Sequence, residues 1–131
     1  MTEQEIQDIC KIYNIKNYTI NPDGSIDVNG NVYLSDKGLT KLPLKFNRVS
    51  GSFYCYKNEL ISLVGSPNYI VGSFYCFENK LNSLDGFNVS YDKLYCDNKK
   101  NLIKKHKRSI KLKILETIWP NKKSIPFVRN I

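Results

Sequence analysis

Four cysteines and one histidine are the residues of this chain best suited to metal, disulfide or acid–base chemistry. Cys10, Cys55, Cys76 and Cys96 are separated by 45, 21 and 20 residues, with no C-x-x-C pair. A zinc site built on the last three lacks a fourth ligand, because His106 stands in a run of lysines. Those lysines also disfavour a protonated imidazole. Asp85, Asp92 and Asp97 are scattered near turns, with no evident partner. The sequence contains no G-x-S-x-G, H-E-x-x-H or glycine-rich phosphate loop. The expectation is a nonenzymatic protein with no cofactor and no metal. Its thiols should stay unlinked and pack as small apolar groups.

The spacing of the last three cysteines belongs to a larger pattern. GSFYC occurs at Gly51–Cys55 and again at Gly72–Cys76, 21 residues on. Cys55-x-x-Asn58-x-Leu60-x-x-Leu63-x-Gly65 overlays Cys76-x-x-Asn79-x-Leu81-x-x-Leu84-x-Gly86 at every named position. Worn copies flank the pair: Val32-Tyr33-Leu34 with Leu39 and Leu42 before it, and Leu94-Tyr95-Cys96 after it, shortened by one residue. A fixed period of about 20 residues predicts a solenoid, and solenoids are usually binding scaffolds.

In Phe53-Tyr54-Cys55 the side chains of a strand alternate faces, so Phe53 and Cys55 point one way and Tyr54 the other. The strand should break at Asn58 or Asn79, whose amides can bond backbone groups of neighbouring repeats. Leu60, Leu63, Leu81 and Leu84 then return inward and are expected to be buried. Gly65, Pro67 and Gly86 punctuate the return path and leave no room for a long helix. This arrangement resembles the leucine-rich repeat, L-x-x-L-x-L-x-x-N-x-L. Phe53, Cys55, Asn58 and Leu60 match its last four defined positions, as do Phe74, Cys76, Asn79 and Leu81. The short period and Leu42-Pro43 look like the bacterial subtype of about 20–22 residues. The V-x-G-S-F-Y-C wording is similar to small repeat proteins of large phages and giant viruses. The resemblance covers residues 31–98 and departs from the pattern at Lys37 and Lys99, where Asn should stand.

The expected fold is therefore an α/β solenoid, a leucine-rich stack of three to four coils with parallel strands, in a single domain over residues 1–131. Residues 1–30 should form an N-terminal cap. Thr2 and Glu5 have capping-box spacing, and Ile6, Ile9, Cys10 and Tyr13 share one stripe of a helix of about 12 residues. Asn21-Pro22-Asp23-Gly24 and Asn29-Gly30 read as two hairpin turns in an antiparallel meander. Residues 99–131 should form a basic C-terminal cap, with a helix over about 101–118 stopped by Pro120. Alternation over 109–115 leaves a strand as its competitor. Ile103, Ile110, Ile114 and Ile118, with Leu102, Leu115 and Trp119 beside them, are expected to close the last coil. Glu3, Glu5 and Asp8, with no long apolar run, argue against a signal peptide or membrane span, so a cytoplasmic location without membrane partners is expected.

Charge is divided unevenly. Residues 1–98 carry 9 Lys/Arg against 11 Asp/Glu, whereas residues 99–131 carry 11 Lys/Arg and one acid, Glu116. Lys104, Lys105, Lys107, Arg108, Lys111 and Lys113 are the expected basic contact. Tyr33, Tyr54, Tyr75 and Tyr95 recur at the outward strand position and predict four rings in a row at intervals of about 5 Å. Tyr56 and Phe77 add a second, partial row. Tyrosine combines contact area with a hydroxyl and is enriched at interface hot spots. The competing reading is a ladder that only stiffens the sheet. Two functions follow. One is a protein-binding module, which the family resemblance places in a virus or phage, inhibiting or redirecting a host protein. The other is nucleic-acid binding, with the basic tail on phosphates and the tyrosines as stacking platforms. Open strand edges allow either a monomer or a homodimer.

Overall fold

The structure, a computed structural model, describes residues 1–118. Trp119 and Pro120, expected beside the C-terminal stripe and as its stop, lie outside the described residues. Helix α1, Glu3–Ile12, begins with the capping box. Glu5 N–H donates to Thr2 Oγ1 at 3.2 Å and Thr2 N–H donates to Glu5 Oε1 at 3.1 Å. It ends in a Schellman motif: Asn14 is left-handed at φ 54, Ile15 N–H reaches the Cys10 carbonyl at 2.8 Å, and Asn14 N–H reaches that of Lys11 at 3.3 Å. Ile6 and Cys10 are buried on its inner face.

Strands β1 (Tyr18–Ile20) and β2 (Ile26–Val28) form the first expected hairpin, with Gly24 at φ 85 in its turn. Asp23 Oδ1 accepts from Ser25 N–H at 2.9 Å and from Ser25 Oγ at 2.6 Å, and Lys45 pairs with its other oxygen at 3.2 Å. These bonds, those from Ser25 foremost, pull the Asp23 carboxyl down to about 2. A lowered folded pKa stabilises above the ordinary carboxylate range and is lost as pH falls through about 2. An NMR titration should therefore show Asp23 still ionised well below the ordinary carboxylate range. A midpoint for Asp23 in the ordinary range would mean that the turn is open.

The second expected hairpin does not form. Asn29-Gly30 instead carries the chain from one sheet into another, because β3 (Val32–Tyr33) pairs in parallel with β5 (Phe53–Tyr54), 21 residues on, and not with β2. The same corner recurs between β4 (Phe46–Val49) and β5, and between β6 (Tyr69–Ile70) and β7 (Phe74–Tyr75). Gly51 N–H donates to the Gly30 carbonyl and Gly72 N–H to that of Gly51, each at 2.9 Å. A Cβ on Gly51 or Gly72 would lie within 2.8 Å of the glycine carbonyl before it, so the corners need glycine for close approach.

Two open four-stranded sheets result. One has the order β1-β2-β4-β6, parallel apart from the hairpin; the other, β3-β5-β7-β8, is wholly parallel and ends in β8 (Leu94–Tyr95). The core lies between them. Phe46, Phe53, Phe74 and Phe87 form a chain of ring contacts with centroids 4.9–5.5 Å apart. Leu60, Leu63 and Leu84 are fully buried as expected. Leu81 is not: it is half-buried, because a helix starts at Lys99, where the turn of a further regular repeat would stand over it. Leu60→Ala should thus cost about 2–5 kcal/mol, and Leu81→Ala clearly less, as read by urea denaturation. Equal losses would contradict the burial difference.

Helix α2, Lys99–Ile118, settles the choice over 109–115 in favour of a helix. Its apolar stripe closes the end of the fold only in part. Leu102 is buried and Ile103 partly so, but Ile110, Ile114 and Ile118 are 42%, 51% and 70% exposed. Twenty residues make a helix of about 30 Å. Burial is deepest in its first turns, at Leu102 and Ile103, and falls toward Ile118.

Candidate functional site

The parallel sheet β3-β5-β7-β8 presents the expected aromatic row. Inward positions are filled by Val32, Phe53, Phe74 and Leu94, all buried, which forces the intervening tyrosines outward. Ring centroids of Tyr33–Tyr54, Tyr54–Tyr75 and Tyr75–Tyr95 are each 5.1 Å apart, at interplanar angles of 7°, 7° and 19°. Tyr56 and Phe77 stack beside them at 4.7 Å. Tyr33 and Tyr95 are exposed, whereas Tyr54 and Tyr75 are half-buried because each is enclosed by a ring on either side.

The register of the row is held at its base by residues the sequence reading did not single out. Asn31 Oδ1 accepts from Ser52 N–H at 2.7 Å, and Ser52 Oγ accepts from Ser73 N–H at 3.1 Å. Asn31 Nδ2 also donates to Tyr33 Oη at 2.9 Å. Their signal was available, since Asn31, Ser52 and Ser73 stand 21 residues apart. The hydroxyls of Tyr54, Tyr75 and Tyr95 have no hydrogen-bond partner among the described residues and are open to a ligand.

This geometry restricts what the row can bind. Stacked bases rise about 3.4 Å per step, so a base between two rings needs about 7 Å. At 5.1 Å the rings spend their faces on each other. What they offer outward is ring edge and hydroxyl. Of the two end faces, that of Tyr95 has the Lys99 ammonium 5.6 Å from its centroid.

The expected basic set lies elsewhere on α2. Lys104, Lys105, Lys107, Arg108, Lys111 and Lys113 are all exposed. Lys105 Nζ donates to the Asn82 carbonyl at 2.6 Å, and Lys107 Nζ lies 5.7 Å from the Tyr91 ring centroid. His106 Nδ1 is 2.7 Å from Tyr91 Oη, which fastens the helix to the short 3-10 turn Tyr91–Lys93. The structure therefore brings the six aromatics together, but joins two of the basic residues, Lys105 and Lys107, to the segment around 82–91. Among the described residues, Lys99 is the tail cation placed on the row.

Side chains finish both ladders where a further strand would stand. Asp97 Oδ2 accepts from Glu78 N–H at 2.6 Å. Lys93 Nζ donates to the carbonyls of Ile70 and Val71 at 2.6 and 3.0 Å. Among the described residues, no group of three or more His, Cys, Asp or Glu could hold a metal ion, and no helix is long and apolar enough to cross a membrane. The chain matches no protein-family model, no curated protein and no solved structure.

Proposed function

We propose that the chain is a nonenzymatic protein-binding module: a short stack of leucine-rich-type repeats whose tyrosine ladder docks a partner protein. In the role implied by its resemblance to phage and viral repeat proteins, it would inhibit or redirect a host protein. The repeat reading is supported by strand pairing at offsets of 21, 21 and 20 residues in one sheet and by the same offset between β4 and β6 in the other. The binding reading is carried by one observation, the continuous row of outward tyrosines with three unengaged hydroxyls. Edges and hydroxyls suit a protein surface, where they combine apolar contact with hydrogen bonds at low entropic cost.

The cationic face of α2 favours a second reading, nucleic-acid binding through phosphates. The closed spacing of the rings weighs against it, because the stacking half of that mechanism has no slot to use. Affinity capture with the full chain, with and without nuclease, separates the two. A protein retained after nuclease, at moderate salt and in competition with free chain, is the expected result. Recovery of nucleic acid alone, lost as salt rises, would replace the first reading by the second.

A further inference from the structure

We propose that Cys76 and Cys96 form a peroxide-sensitive dithiol, in which Cys96 is oxidised first and Cys76 resolves it to a disulfide that ties β8 to β7. The sequence reading treated the cysteine row as uniform, and the structure shows that it is not. Cys10, Cys55 and Cys76 are buried, but Cys96 is half-exposed. Its repeat is one residue short, and the chain leaves the strand for α2 only three residues later, at Lys99.

The two thiols are neighbours by register. Tyr75 pairs with Tyr95, and Cys76 N–H donates to the Tyr95 carbonyl at 2.8 Å, so the next residue of each strand lies beside the other. Neighbouring parallel strands stand about 4.8 Å apart, within the Cα separation a disulfide accepts. Both side chains follow an outward tyrosine, so they share the inward face of the sheet. A cleft of about 140 Å³ lined by Cys76, Asn79, Leu81, Asp97 and Asn98 opens on the Cys76 side of the pair.

Their surroundings give the two sulfurs different roles. The neighbouring Cys76 thiol holds the Cys96 thiol below the usual range against the cost of burial. Lys99 favours its thiolate and Asp97 opposes it. The neighbouring Cys96 thiol, and then burial, push Cys76 up. Cys55, deeper in the row, is pushed up by burial alone. One half-exposed sulfur beside one enclosed sulfur is the arrangement of an attacking and a resolving cysteine.

The chemistry balances with hydrogen peroxide as oxidant. The Cys96 thiolate attacks one peroxide oxygen, the O–O bond breaks, and the departing hydroxide takes a proton to leave as water. Cys96 is then a sulfenic acid. The Cys76 sulfur attacks the Cys96 sulfur, the S–O bond breaks, and the hydroxide leaves as water with the proton from Cys76. Two thiols and one peroxide yield one disulfide and two waters. The bond would fix the edge strand that carries Tyr95 and leads into the basic helix.

The experiment uses the full reduced chain, treated with equimolar hydrogen peroxide, alkylated and mapped without reduction. The expected product is a Cys76–Cys96 cross-link that forms in the native protein and at least tenfold more slowly after unfolding in urea. In the native protein, iodoacetamide should label Cys96 at least tenfold faster than Cys10, Cys55 or Cys76. Cys76→Ser should stop at a Cys96 sulfenic acid trapped by dimedone, and Cys96→Ser should leave Cys76 unmodified. A Cys55–Cys76 link, mixed links, no link, or equal labelling of all four thiols overturns the proposal. Mapping the parent chain needs no variant, so a substitution that disturbs folding does not protect the idea.

Discussion

Asn58→Ala is expected to destabilise the protein by about 3–5 kcal/mol, because one amide serves five backbone groups in a nearly closed site. Asn58 Oδ1 accepts from the N–H groups of Lys37 and Leu39, both at 3.0 Å. Its Nδ2 donates to the carbonyls of Leu34 at 2.8 Å, Cys55 at 3.1 Å and Tyr56 at 3.3 Å. The residue is 7% exposed, so water cannot replace these bonds without opening the repeat. Each buried group left unpaired costs about 1–3 kcal/mol. Three carbonyls can tolerate weaker bonding better than two amides can, which keeps the total below the simple product. Asn79 is the internal control. Its Nδ2 donates likewise to the carbonyls of Cys55, Cys76 and Phe77, but its Oδ1 accepts only from Leu60 N–H and the residue is half-buried, so water can replace part of what is lost and Asn79→Ala should cost about 1–2 kcal/mol. Asn58→Asp keeps the acceptor, loses the donors and adds a charge, and it should recover little. Urea titrations of the three variants provide the check. If Asn58→Ala costs no more than Asn79→Ala, the amide is not what joins neighbouring repeats.

The features that could be read from the sequence are those in which one side chain signals its own environment. The alternation in Phe53-Tyr54-Cys55 and its copies placed the inner and outer faces of β3, β5, β7 and β8, and the position of Asn58 gave its backbone partners. The second sheet was missed. Phe46–Val49 and Tyr69–Ile70 lie on the stretch read as a return path, and two- to four-residue strands are too short for alternation to register. A polar column did mark it: Asn47 donates to Asp27 at 2.9 Å, Asn68 to Asn47 at 3.2 Å and Asn88 to Asn68 at 3.2 Å, at spacings of 20, 21 and 20 residues. Backbone demands were also concealed. Asp36, Lys57, Glu78 and Asn98 all turn at φ 55–56 just before the Asn position or its substitute. Lys and Glu do not announce a left-handed residue as glycine does. The repeat thus keeps its turn at Lys37 without the asparagine, since Lys37 N–H bonds to Asn58 of the next copy. The overextended α2 was hidden for a different reason. Its stripe is apolar at helical spacing, and sequence alone does not say how far a neighbouring surface reaches.

Loss of partner affinity on Tyr75→Ala is the other large expected effect, about 2 kcal/mol or roughly 30-fold, chiefly through faster dissociation. Tyr75 is one of the two inner rings of the row, with neighbours at 5.1 Å on both sides, so its removal breaks two stacking contacts as well as the surface. Tyr75→Phe separates these roles. It keeps the stack and removes only the hydroxyl, so thermal stability should hold while binding loses about 0.5–1.5 kcal/mol. A ladder that merely stiffens the sheet predicts the reverse: Tyr75→Ala loses stability, and Tyr75→Phe changes neither property. Charge reversal at Lys104, Lys107 and Arg108 should slow association and flatten its salt dependence while leaving dissociation nearly unchanged, as expected of exposed charges that steer a partner. A phosphate-binding protein predicts another ranking, with the helix variants dominant, the tyrosine variants near neutral, and affinity falling steeply with salt. Kinetics measured at two salt concentrations on folded variants distinguish all three. Should Tyr75→Ala and Tyr75→Phe both bind as tightly as the parent, the aromatic row is a structural ladder and α2 becomes the contact surface.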